Sequence, residues 1–172
     1  MIVKSLLGEF EHEVQNTRKL LSAMPDKALN YKPADISWTM GQLASHIAEV
    51  YNWYEVTLHQ DVFDMAAYKY DKGDISKAAN IVKKFEQNVV AARSALERAT
   101  DDNMFTEWKM VMGGSEPIFP VMPRIQVVRG FLFNHLYHHR GELVVYFRAS
   151  GNVPVGLYGP IAEESMAMAN NN

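Results

Sequence analysis

Between residues 3 and 24 the apolar side chains Leu6, Leu7, Phe10, Val14, Leu20 and Leu21 fall at intervals near three and four, with charged residues between them. That period marks one face of an amphipathic helix, and Pro25-Asp26 stops it. The next stretch, NYKPADISW over residues 30–38, lacks the period, and Pro33 disfavours helix around itself. Thr39, followed three residues on by Gln42, reads as a capping box that opens a second helix from Met40 to Gln60. A third helix, capped by Asp74 or Ser76, runs through Ala99 with Ile81, Val82, Phe85, Val89 and Leu96 on its apolar face. From 101 to 123 the pattern changes. FTEWKMVMGGSEPIFPV alternates loosely around Gly113-Gly114, which fits either a small hairpin or a crossover loop. Pro123 suits the first turn of a fourth helix that ends near Ser150, with Gly151 as its C-terminal cap. The fold expected is all-α: a four-helix bundle in a single domain over 1–172, with a long crossover between helices three and four.

Composition narrows the partners. At 48% apolar and 22% charged residues, the 172-residue chain has ample material for a core. It contains no run of about 18 apolar residues that could span a bilayer, and MIVKSLLGEFEHEV turns acidic too soon for a signal peptide. A soluble, cytoplasmic protein without membrane partners is expected. A net charge of -3 offers no basic patch for a phosphate backbone, so nucleic acid is not an expected partner. The absence of cysteine removes disulfides, thiolate ligands and a protein-borne sulfur nucleophile together. Any thiol chemistry must use a thiol brought from outside.

Candidate chemistry gathers in HLYHHRGE, residues 135–142, which holds three of the six histidines. On a helix, His135 and His139 lie about 40° apart and share a face with Val128, Leu132 and Tyr146. His138 lies about 60° to the other side of His135, at the margin, and Arg140 falls outside, to be solvated or paired. On the second helix His46 sits among Leu43, Val50 and Trp53, with Glu49 about 60° away. Two facing helices thus aim imidazoles at the core. Buried imidazoles need partners, and a pair at i, i+4 with a third from the opposite helix can hold a divalent ion with open positions for water or substrate. His12 and His59 fall in polar surroundings and read as surface residues. Trp53, Tyr54 and Tyr146, near the same face, read as either core or pocket wall.

SWTMGQLASHIAEVYNWY, followed about ninety residues later by FNHLYHHRGELVVYFRASGNVPVGLYG, resembles the DinB-like (YfiT-like) superfamily of metal-dependent enzymes over nearly the whole chain. The resemblance implies His46, His135 and His139 as ligands of a divalent metal, zinc or nickel. The position after HHRG is commonly glutamine in such proteins and is Glu142 here. Glu142 projects within about 20° of His135, where it either orients a histidine as an acceptor or pairs with a nearby arginine. The superfamily includes thiol-dependent transferases and isomerases. The resemblance therefore implies a small-molecule substrate and a low-molecular-weight thiol as co-substrate, with thiol transfer favoured over hydrolysis.

Two other classes compete. A non-catalytic metal- or ligand-binding bundle would close its coordination with a fourth protein ligand. A di-iron bundle needs Glu-x-x-His on two helices, whereas this chain offers the reverse order, His46-x-x-Glu49 and His139-x-x-Glu142. Finally, Phe133, Tyr137 and Val144 gather opposite His135 on the fourth helix, an apolar strip expected to be covered in a homodimer.

Overall fold

In a computed structural model, residues 1–170 are described as a mostly helical chain with a small three-stranded sheet. The first amphipathic pattern forms α1 (Ile2–Ser22), which buries Val3, Leu6, Phe10, Val14, Leu20 and Leu21 and packs against α4 (Ala78–Arg98). Burial of these side chains drives the docking, each contributing about 1.5–3 kcal/mol. The expected capping box is formed. Thr39 Oγ1 accepts from the Gln42 N–H at 3.1 Å and Gln42 Oε1 accepts from the Thr39 N–H at 2.8 Å.

The helix expected from Met40 to Gln60 is two helices, α2 (Met40–Val50) and α3 (Trp53–His59), separated by a tight turn at Tyr51-Asn52. The turn is tightened by a three-residue hydrogen bond from Asn52 N–H to Glu49 O, 2.8 Å. It lets three aromatic residues reach different partners: Tyr51 meets Phe85, Tyr54 meets Phe10 and Phe133, and Trp53 stacks on Phe131. The cap of α4 is also not the expected one. Asp74 accepts from the Ser76 N–H and from Asn80 in the preceding turn, while the Ala78 N–H is taken by Asp26 Oδ1 at 2.8 Å from the far side of the chain.

The segment 101–123 pairs in two directions. β2 (Glu107–Val111) runs parallel to β1 (Val62–Asp64) and antiparallel to β3 (Met122–Pro123). The final long helical stretch begins one residue after Pro123. It consists of α5 (Arg124–Val127), a π-helical stretch Val128–Phe133, and α6 (Asn134–Ala149). Gly151 terminates it with φ +75°, a left-handed conformation that glycine adopts without strain. A further helix, α7 (Ala162–Asn170), has no buried residue and is tied down by Glu163 on Arg148.

The strip opposite His135 is partnered within the chain. Phe133 is fully buried and stacks on Tyr137, Arg129 lies over the Phe133 ring, and the Tyr137 hydroxyl donates to Glu9 on α1 at 2.6 Å. The argument for a homodimer from an exposed strip therefore falls away. Arg140, expected to be solvated or paired, is paired and deeply buried. It donates to the Glu13 carboxylate, to Glu13 O at 3.0 Å and to Thr17 Oγ1 at 3.2 Å.

Candidate metal centre

α2 and α6 pack against each other, and across their contact the imidazoles of His46, His135 and His139 converge. Each offers one nitrogen, and the three nitrogens lie within 4.8 Å of one another. His46 Nε2 is 3.0 Å from His135 Nε2. Ligand nitrogens about 2.0–2.1 Å from a tetrahedral zinc stand about 3.3 Å apart, so this donor set suits such an ion after a small adjustment.

Electrostatics favours the same use. Burial, reinforced by the neighbouring imidazoles, lowers the pKa of His46 to about 3 and that of His135 to about 4; burial lowers His139 as well, with Glu142 acting against it. At neutral pH all three are uncharged, the form that binds a cation. The outer nitrogens of two of the three rings are also engaged. His139 Nδ1 meets Glu142 Oε2 at 2.6 Å, and the His135 ring hydrogen-bonds the Phe131 carbonyl within the π-helical stretch. Such outer bonds fix the tautomer and leave Nε2 facing inward.

The other residues singled out in the sequence divide clearly. Trp53 packs edge-on to His46 and His135, with centroids at 5.7 and 5.4 Å. His138 is exposed and points its Nε2 at Glu142 Oε1, 3.2 Å away, rather than at the trio. Tyr146 sits farther out, its hydroxyl donating to Trp38 O at 3.1 Å. Tyr54 does not line the pocket: it is fully buried among Phe10, Tyr51 and Phe133. Glu49 likewise turns from the histidines to Lys84, 3.4 Å away, and the Tyr68 hydroxyl. His12 and His59 are exposed, as expected. The residue that sequence reasoning missed is Trp38. It comes from the loop before α2 and packs on two of the three, its ring 5.0 Å from His46 and 6.1 Å from His139. Its only signal was its place just before the capping box.

A cleft of about 420 Å³ opens beside His46, lined by Trp38, Gln42, His46, Trp53, Met65, Tyr70 and Lys72. A larger groove of about 640 Å³ runs beside β2 and involves none of the three histidines. Among the described residues, no helix is long and apolar enough to cross a membrane.

A helical fold holding a trio of half-buried, neutral imidazoles beside a tryptophan defines a class of histidine-centred helical proteins. Within that class the chain belongs to the DinB family, whose model matches residues 1–171. It is 28% identical over 159 residues to the uncharacterized protein YrdA of Bacillus subtilis, covering 92% of this chain and 89% of YrdA. Among solved structures, a DinB-like protein from Bacillus cereus superposes with a TM-score of 0.67 at 24% identity, covering 90% of this chain and 97% of that one. YfiT from Bacillus subtilis, described as "a probable metal-dependent hydrolase with an unusual four-helix bundle topology", gives 0.63 at 15% identity, covering 87% and 88%. A mycothiol-dependent maleylpyruvate isomerase gives 0.55 at 13% identity, covering 89% of this chain and 62% of its own. These structural likenesses establish shared fold.

Proposed function

We propose that His46, His135 and His139 hold one divalent cation, zinc or nickel, and that the protein is a metal-dependent enzyme activating a small nucleophile beside the cleft. The observation that carries this reading is the convergence of three neutral imidazole nitrogens from two helices, with His46 among them lining an open cleft. A cation held by neutral ligands supplies Lewis acidity and lowers the pKa of a bound water or thiol. The chain's own residues do the rest. Glu142 holds the His139 ring in place, and Trp38 and Trp53 keep bulk water from the floor of the cleft.

Thiol transfer is favoured over hydrolysis. The cleft walls are dominated by Trp38, Trp53 and Met65, which suit a sulfur nucleophile and an apolar acceptor. The nearby acids are engaged elsewhere, Glu142 by His139 and Glu49 by Lys84 and Tyr68, so neither stands free to take a proton from water. With no cysteine in the chain, the sulfur arrives on a low-molecular-weight thiol. The description of the isomerase as mycothiol-dependent supports this reading, and that of YfiT supports hydrolysis as the second. A non-catalytic binding bundle is disfavoured because, among the described residues, no fourth histidine or carboxylate joins the trio.

The test is metal content across histidine variants, followed by spectra of the cobalt-substituted protein with a panel of thiols. His46→Ala, His135→Ala and His139→Ala each lose tight binding, while His138→Ala stays within about 10-fold of the parent. Retention in His139→Ala together with loss in His138→Ala would overturn the ligand assignment, and a cobalt spectrum that no thiol perturbs would overturn thiol activation.

A further inference from the structure

The side chains of the cleft beside His46 are mostly hydrogen-bond donors. Gln42 has its carbonyl oxygen engaged by the Thr39 N–H, which leaves its NH₂ group to offer. Lys72 carries an exposed ammonium at the rim, and its backbone carbonyl takes the Ser45 hydroxyl proton at 2.6 Å. Ser45 can then only accept from Tyr70, whose hydroxyl lies 3.1 Å away, so the Tyr70 oxygen is left as a weak acceptor. Deeper in, Trp53 is 5% exposed, and its Nε1 is buried with no partner among the described residues. No aspartate or glutamate lines the cleft.

An indole N–H buried without an acceptor is a standing cost, which a ligand oxygen would remove. A charged ammonium at the mouth and an amide NH₂ beside it add to the same demand for negative charge. The walls between these donors are flat and apolar, and a volume of about 420 Å³ is at the small end of ligand pockets.

From this donor set we infer that the cleft takes a small, flat, carboxylate-bearing ligand. Its carboxylate is received by Lys72, Gln42 and the Trp53 indole, and its apolar body lies between Trp38 and Trp53. The inference rests on the reading of the trio as a metal centre only in placing this ligand next to the reacting atoms; the donors belong to the protein itself. The carboxylate can be carried by the electrophile or by the thiol, and the two sources are separable.

The probes are benzoate against benzyl alcohol for the first source, and mercaptoacetate against mercaptoethanol for the second, with dissociation constants measured by tryptophan fluorescence on metal-loaded and metal-free protein. In at least one pair the carboxylate binds about tenfold tighter. Lys72→Gln reduces that preference about twofold to fivefold, more at low salt, and leaves the neutral partner unchanged. Trp53→Phe reduces it about twofold to fivefold, read against the neutral partner as a control for packing. The pair that shows this Lys72 dependence identifies the carrier. Equal binding within both pairs overturns the proposal. So does a preference seen only in metal-loaded protein and indifferent to Lys72→Gln, because the ion would then be holding the carboxylate. Loss of carboxylate preference with metal content intact removes this inference alone, and absence of metal with the preference intact removes the metal reading alone.

Discussion

Glu142 places one carboxylate between two imidazoles, 2.6 Å from His139 Nδ1 and 3.2 Å from His138 Nε2. Only the first bond reaches the trio. If its work is to accept the Nδ1 proton, Glu142→Gln keeps an acceptor and lowers metal affinity less than about tenfold, whereas Glu142→Ala costs about 10- to 100-fold. Competition against a chelator measures both, and equal losses would show that the charge, not the acceptor, matters. At this scale the histidines were readable because two of them share one uninterrupted helix, where angle follows from spacing. Tyr54, which spacing left open between core and pocket wall, is core because the chain turns at Tyr51-Asn52. Trp38 gave no periodic signal because it belongs to a loop whose path is set by contacts such as Tyr146 with its carbonyl.

The start of α2 shows what a local signal can establish. Thr39 and Gln42 form the reciprocal pair expected from their spacing, and they open the helix that carries His46 and that Trp38 approaches. Thr39→Ala should cost about 1 kcal/mol, a fall in Tm of about 2–4 °C for a chain of this size, with metal stoichiometry retained. Thermal melts paired with elemental analysis check it. The sheet was not readable in the same way. Its strands are two to five residues long, and β1 is aligned by a parallel register with Lys109–Val111 that no local spacing encodes. The π-helical stretch Val128–Phe133 is equally silent in sequence, since its apolar residues would also suit an ordinary helix.

Across the whole molecule, Arg140 joins the histidine-bearing α6 to α1. Its guanidinium meets Glu13, with Tyr158 donating to the same carboxylate at 2.7 Å and the Tyr137 and Tyr158 rings flanking it. Removing one member leaves a buried charge without its counter-ion. Glu13→Ala should therefore destabilise by about 3–5 kcal/mol, while the apolar double variant Glu13→Leu/Arg140→Met recovers most of that loss. Urea denaturation of the three proteins decides it, and a mild effect of Glu13→Ala would mean that water reaches the pair. Sequence placed Arg140 off the histidine face correctly but could not show what waits there. The depth of that side of α6 is created by α1, remote in the chain, and by the segment after α6 that folds back with Tyr158.

His46 and His135 stand 89 positions apart, whereas His135 and His139 are one turn apart. An isolated peptide of the last long helix could still offer two nitrogens to an ion, but chelation by all three exists only while α2 lies against α6. Tight binding thus reports the closure of a single interface rather than the presence of helix. In a hydrogen-exchange experiment, the opening that releases the ion would be the one that exposes the amides of α2, and the ion's residence time would set the lifetime of that contact.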